Sequence, residues 1–108
     1  MQVTNPDGAF TKTGSLASIP GIPATGDEGC YSYGGGTGAF SFIPASTGIA
    51  ASTPSTLTSI LLSGNTTYIG YGSLQIEYEI IVLTDTYMYL RVQGTETGNA
   101  WYIKLKPI

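Results

Sequence analysis

Apolar and polar residues alternate most regularly in the last third of the chain. Three runs rich in β-branched and aromatic residues, at 74–83, 87–92 and 100–106, are separated by a Thr-Asp-Thr segment and by a loop bounded by glycines. Alternation with a period of two is typical of strands that bury one face. The pattern predicts a three-stranded antiparallel meander around which the rest of the domain is organised.

Alternation assigns the side chains of this meander to two faces. Ile81 and Leu83 break the pattern, so we expect the first strand to bulge or to be buried on both sides near its end. The inward positions are Leu74, Ile76, Tyr78, Ile80, Val82, Met88, Leu90, Val92, Trp101, Ile103 and Leu105. The outward positions are Glu77, Glu79, Tyr87, Tyr89, Arg91, Tyr102 and Lys104. The outward face is therefore expected to present tyrosines framed by charges.

Shorter segments of the same character precede the meander. A glycine-rich link at 34–38 joins two alternating segments and predicts a hairpin. Residues 44–55 are small and polar and predict a surface loop, where β-branched threonines and Pro54 disfavour a helix over 47–53. The predicted strands before the meander lie at 9–13, 30–33, 39–43, 57–62 and 66–71.

Seven or eight strands and no sustained helical period predict an all-β fold. We expect a small antiparallel β-sandwich or barrel with the C-terminal three-stranded meander, and the pattern leaves the choice between sandwich and barrel open. The 108 residues suffice for a single domain spanning residues 1–108. The polar start of the chain has no export signal, so we expect a domain excised from a larger multi-domain surface protein.

Composition narrows the functional classes. Charged residues make up 10% of the chain, the net charge is −3 and only four residues are basic, which argues against nucleic acid and against an anionic membrane surface as partners. No apolar run is long enough to span a bilayer. Histidine is absent, so the commonest general base and metal ligand are missing. The lone Cys30 has no basic neighbour and is expected to be inert.

The C-terminal motifs resemble a known group of domains. The string Tyr78-Glu79-Ile80, then Leu83-Thr84-Asp85 and Leu90-Arg91, closing on residues 99–107, is similar to the C-terminal strands of lipocalin-like and related β domains from Bacteroidota. Such domains occur in surface lipoproteins of polysaccharide-utilisation systems and beside family 16 glycoside hydrolases. The resemblance covers residues 56–107 and implies a compact barrel or sandwich, displayed at the cell surface (outer membrane) or secreted, that handles glycans.

Aromatic side chains are the candidate ligand-binding residues, because sugars stack their C–H faces on rigid rings. Tyr31 and Tyr33 lie beside the glycine-rich link, and Tyr68 and Tyr71 flank Gly70. Trp101 has the parity of the core, which favours a structural role. The candidates are Tyr31, Tyr33, Tyr68, Tyr71, Tyr87, Tyr89, Tyr102 and Trp101.

Two other kinds of site receive less support. Glu77 and Glu79 are about 7 Å apart on one strand face, within the range of a hydrolase pair, but such residues are usually solvated or paired with Arg91 or Lys104. Oxygen ligands for calcium occur at Asn5, Asp7, Asp27 and Glu28, without the spacing of a known calcium loop. We therefore expect no metal and no cofactor.

The residue pattern and the resemblance favour one function and leave one alternative. We expect a non-catalytic domain that binds a polysaccharide or oligosaccharide by aromatic stacking, and whose weak single-site affinity is raised by attachment to a larger protein. The alternative is a structural or spacer domain that packs against a neighbouring domain of the same protein and has no ligand of its own.

Overall fold

In a computed structural model of the chain, the described residues are 2–4, 8–13, 28–33, 36–51, 53–64, 68–69, 75–94 and 99–107, and they form eight strands and no helix. The strands are β1 (Gln2–Thr4), β2 (Gly8–Thr13), β3 (Glu28–Tyr33), β4 (Gly36–Pro44), β5 (Thr58–Ser63), β6 (Glu77–Leu83), β7 (Met88–Gln93) and β8 (Ala100–Pro107). The predicted all-β class is confirmed.

The strands form one curled sheet. From β2 to β8 each strand pairs antiparallel with the next. On its other side β8 pairs in parallel with β1 through Gln2↔Ala100 and with β2 through Gly8↔Leu105. Seven strands, β2 to β8, thus follow one another and return to the start. Because the number of strands is odd and their directions alternate, the closing pair, β2 and β8, is parallel. Of the two predicted architectures, sandwich and barrel, the single curled sheet corresponds to the barrel.

The C-terminal meander and its irregularity are confirmed. β6, β7 and β8 pair antiparallel, and the β6–β7 register shifts between Ile80 and Val82. The extra residue is Ile81, so Leu83 replaces Val82 on the inward face and is buried beside Met88. The hydroxyl of Thr84 accepts hydrogen bonds from the backbone N–H groups of Thr86 and Tyr87, which fixes the turn between β6 and β7.

The first strand of the meander is shorter than predicted. β6 begins at Glu77, and Ile76, which was expected in the core, has an exposed side chain. Leu74 lies outside the described residues. Tyr68 and Ile69, the described part of the strand predicted at 66–71, are not in a strand. The predicted hairpin is confirmed by the β3–β4 register, in which Tyr33 faces Gly36.

The interior of the curled sheet is filled with side chains. Its fully buried members include the perpendicular pair Phe40 and Phe42, whose ring centroids are 5.2 Å apart. The inward cluster comprises Tyr31, Phe40, Phe42, Ile60, Leu62, Ile69, Tyr78, Ile80, Leu83, Met88, Leu90, Val92, Ile103 and Leu105. These described side chains pack against one another as a core.

Two tyrosine hydroxyls inside the sheet fix the segment at residues 68–69. The Tyr78 hydroxyl accepts a hydrogen bond from Ile69 N at 2.8 Å and donates to Ile69 O at 3.4 Å. The Tyr31 hydroxyl donates to Tyr68 O at 3.0 Å. Because burial destabilises the phenolate, the pKa of each tyrosine, Tyr31 and Tyr78, is raised to about 12, although the backbone hydrogen bonds act in the opposite direction.

The predicted surface loop lies against the outer side of β5 and β6. We call residues 45–57 the covering loop, of which residue 52 lies outside the described set. Its turn at residues 47–49 has Gly48 at φ 85°, a conformation that glycine adopts without steric cost. The loop is joined to β6 through Thr56, whose backbone N–H and hydroxyl both donate to Ile80 O.

Candidate functional site

Three tyrosines lie on the outward face of the C-terminal meander. Tyr87, Tyr89 and Tyr102 are each partly exposed, and we call them the tyrosine platform. The ring centroids of Tyr89 and Tyr102 are 5.8 Å apart, with planes inclined by 32°. The Lys104 ammonium lies 4.8 Å from the centroid of the Tyr87 ring, a cation–π contact. Strand alternation and the β7–β8 register thus bring Tyr89 and Tyr102 together, whereas Tyr87, which precedes β7, is joined to this face through Lys104.

The remaining candidate aromatics are dispersed. Tyr31 is 2% exposed and belongs to the core, and its expected ligand-binding role stays a prediction. Tyr68 is 42% exposed and lies in the segment held by Tyr31 and Tyr78. Trp101 is partly buried against the core, as its parity suggested. The side chain of Tyr33 and the whole of Tyr71 lie outside the described residues.

A row of polar side chains crosses the outer face next to the platform. The sheet register aligns Ser59 with Glu79, Glu79 with Arg91, and Arg91 with Tyr102. Outward-facing partners of this kind are about 5 Å apart at their Cβ atoms. The tyrosine platform is therefore continuous with a carboxylate and a guanidinium.

Glu79 points outward, as predicted, but it is fully buried, so its expected place on an exposed face is wrong. Its Oε1 accepts a hydrogen bond from Ala51 N of the covering loop at 3.2 Å and lies 3.7 Å from Arg91 Nη1. The covering loop thus removes this part of the sheet from solvent. Ser59 is also fully buried, and its hydroxyl has no hydrogen-bond partner among the described residues.

A small cleft opens between the covering loop and the outer ends of β6 and β7. We call it the loop cleft; it has a volume of about 90 Å³. Its lining residues are Gly48, Ile49, Gln75, Glu77, Arg91, Val92 and Gln93. This cleft was not among the predicted sites. Alternation indicated that Glu77 and Arg91 point outward, but the opposite wall comes from a loop whose position the local pattern does not define.

Hydrogen bonds hold the polar groups of the loop cleft in place. Glu77 accepts from Ser46 N at 2.8 Å and from Ser46 Oγ at 2.6 Å. Arg91 Nη2 donates to Gln93 Oε1 at 2.8 Å, and Gln93 Nε2 donates to Asn99 O at 2.6 Å. The cleft therefore presents a fixed carboxylate, a fixed guanidinium and a fixed amide.

The carboxylate pair considered for hydrolysis does not line a common open cleft. Glu77 borders the loop cleft, whereas Glu79 is buried beneath the covering loop and bonded to it. Among the described residues no group of three His, Cys, Asp or Glu side chains is placed to hold a metal ion. Asn5, Asp7 and Asp27, proposed as calcium ligands, lie outside the described residues. Within the described part of the chain, no helix has the length and apolarity needed to cross a membrane.

Comparisons of the chain with protein-family models, with curated proteins and with solved structures find no match. The resemblance to glycan-handling domains of Bacteroidota therefore stays a prediction.

Proposed function

We propose that this chain is a non-catalytic carbohydrate-binding domain whose binding surface is the tyrosine platform. The observation that carries the proposal is the grouping of three partly exposed tyrosines on one sheet face, with Tyr89 and Tyr102 5.8 Å apart. Two rings on a sheet form a rigid apolar surface that loses little side-chain entropy when a sugar binds. Charged groups beside them, Arg91 and Lys104, are suited to hydrogen bonding with hydroxyls.

Weak affinity for a single sugar site suggests that such a domain belongs to a larger protein. A site made of a few rings binds weakly, and attachment to a larger protein with other binding modules raises the effective concentration of ligand. We therefore place the domain in a secreted or surface-displayed multi-domain protein of polysaccharide utilisation, in keeping with the resemblance of its C-terminal strands. Its partner in this role is a polysaccharide or oligosaccharide.

The test is a glycan array on the isolated domain, followed by affinity gels with each bound glycan. Tyr89→Ala and Tyr102→Ala should each weaken binding by about fivefold, the equivalent of roughly 1 kcal/mol per stacking ring. Tyr89→Phe keeps the ring and should retain most of the affinity. Tyr68→Ala removes an exposed tyrosine elsewhere and serves as the matched control.

Two results would count against the proposal. If no glycan on the array binds, the spacer role, in which the domain packs against a neighbour, is favoured. A second result would be that glycans bind, that Tyr89→Ala and Tyr102→Ala bind as tightly as the native chain, and that Tyr68→Ala loses binding. The domain would then bind carbohydrate, but at a surface other than the tyrosine platform.

A further inference from the structure

We infer that the loop cleft is the hydroxyl-recognising part of the same binding surface, and that it selects neutral sugars over acidic ones. This inference depends on the proposed function, because it assigns the ligand class of the surface whose stacking half is the tyrosine platform. The two halves are adjacent, since Arg91 borders the cleft and is the cross-strand partner of Tyr102. Arg91 is therefore within reach of both a sugar stacked on Tyr102 and a group in the cleft.

The volume of the cleft sets what can enter. About 90 Å³ exceeds the ~10–15 Å³ that one water molecule requires, so the cleft has room for several waters or for the hydroxyls that would displace them. The exocyclic or adjacent hydroxyls of one sugar residue fit that space. In the inferred arrangement the ring lies against the platform and its hydroxyls enter the cleft, so the two halves of the site act on different parts of one sugar.

The hydrogen-bonding groups of the cleft match a pair of hydroxyls. The Glu77 carboxylate has about four acceptor positions, and Ser46 occupies two of them, which leaves acceptor capacity for ligand O–H groups. Arg91 has five N–H donors and gives one to Gln93. The exposed amide of Gln75 adds a donor and an acceptor. Because Ser46, Gln93 and Asn99 already fix Glu77 and Arg91, little ordering is required on binding.

Charge decides between neutral and acidic sugars. One carboxylate, Glu77, lines the cleft, and a second, Glu79, is buried 3.7 Å from Arg91, the guanidinium that also lines the cleft. Glu79 lies 3.7 Å from Arg91 and offsets its charge, so a uronate or sulfate entering the cleft would meet the carboxylate of Glu77 with no second cation among the described lining residues. Lys104 lies over Tyr87 on the platform and does not border the cleft.

Affinity gel electrophoresis of the whole chain tests the inference with three probes: a neutral glucan, a neutral galactomannan and polygalacturonate. The native chain should be retarded by at least one neutral polymer and not by polygalacturonate. Gln75→Ala should weaken retardation by the neutral polymer about threefold to tenfold, the effect of one lost hydrogen bond. Gln75 is exposed, so this variant should fold normally, which circular dichroism checks.

A charge variant and its control test the selectivity. Glu77→Gln removes the charge but keeps an acceptor, so it should raise retardation by polygalacturonate at least threefold relative to the neutral polymer. Asp85→Asn removes one charge from the exposed β6–β7 turn and should leave that ratio unchanged.

The possible failures separate the two proposals. If Gln75→Ala and Glu77→Gln behave like the native chain while Tyr89→Ala loses binding, the platform binds sugar and the assignment of the cleft is overturned. Native binding to polygalacturonate as strong as to the neutral polymers would also overturn it. If no polymer retards the native chain, the inference falls, and a blank glycan array would remove the proposed function with it.

Discussion

Replacing Tyr78 with phenylalanine tests whether a buried hydroxyl holds residues 68–69 against the interior of the sheet. Tyr78 and Ile69 are both fully buried. The variant keeps the aromatic ring and its packing but removes the oxygen that accepts from Ile69 N at 2.8 Å and donates to Ile69 O at 3.4 Å. The substitution therefore changes hydrogen bonding at constant shape.

The expected cost comes mainly from the amide. A buried N–H left without an acceptor destabilises a protein by about 1–3 kcal/mol, and the bond at 3.4 Å contributes little because it is long. We expect Tyr78→Phe to lower the free energy of unfolding by about 2 kcal/mol. For a chain of this length, that corresponds to a fall in Tm of roughly 8 °C.

Urea unfolding followed by Trp101 fluorescence measures the change, and an unchanged m-value shows that the unfolded state is the same. Tyr87→Phe is the matched control, since Tyr87 lies on the partly exposed platform and phenylalanine retains the ring under Lys104. It should alter stability by less than about 0.5 kcal/mol. If Tyr78→Phe and Tyr87→Phe are equally stable, the hydroxyl does not hold the segment.

Three further predictions concern stability. Burial raises the pKa of both Tyr31 and Tyr78 to about 12, so the unfolded chain deprotonates first as the pH passes 10. The unfolding free energy should therefore be constant below pH 10 and fall by about 2–3 kcal/mol per tyrosine toward pH 12. An unfolding free energy that stays constant from pH 9 to 12 would contradict this. Ser59→Ala removes a buried hydroxyl without a partner among the described residues and should raise the unfolding free energy in urea by about 1 kcal/mol, so a loss of stability would show that the hydroxyl is satisfied. Leu57 is 71% exposed and has a backbone φ of 60°. Leu57→Gly should relieve about 1–2 kcal/mol of backbone strain, against a loss of about 0.5–1 kcal/mol from the greater entropy of the unfolded chain. A calorimetric Tm below that of the native chain would show that Leu57 is not strained.

The sequence predicted the parts of the fold that depend on local alternation. β7 follows the period of two without interruption, with Met88, Leu90 and Val92 buried and Tyr89 and Arg91 facing outward. The bulge was predictable for the same reason, because Ile81 and Leu83 are two apolar residues at positions where alternation requires polar ones. A strand that buries one face carries its register in its own sequence.

Alternation alone did not decide the place of Tyr31. The β3–β4 register sets Tyr31 opposite Gly38, on the face that also carries Phe40 and Phe42. The glycine-rich link between the two strands allows several registers by sequence, and each would have turned a different set of residues inward. The inward position of Tyr31 is therefore defined by the strand pairing and not by its local pattern.

Exposure on the outer face was also decided at long range. Alternation correctly directs Glu79 outward, yet the covering loop buries it through Ala51 N, 28 residues earlier in the chain. The same loop forms one wall of the loop cleft, so the cleft could not be predicted from β6 and β7 by themselves. Small polar residues such as those of 45–57 indicate a loop, but they do not indicate the surface on which it lies.

The filled interior determines where a ligand can bind. A barrel of about eight strands is just wide enough either to be packed with side chains or to hold one small ligand, and here seven strands surround Phe40, Phe42, Tyr78 and other buried side chains. Within the described residues, the first of these two arrangements applies, because the inward side chains form one buried cluster. The proposed carbohydrate site therefore lies on the outer surface, where Tyr102 and Arg91 bring a partly exposed ring next to a polar group held by hydrogen bonds.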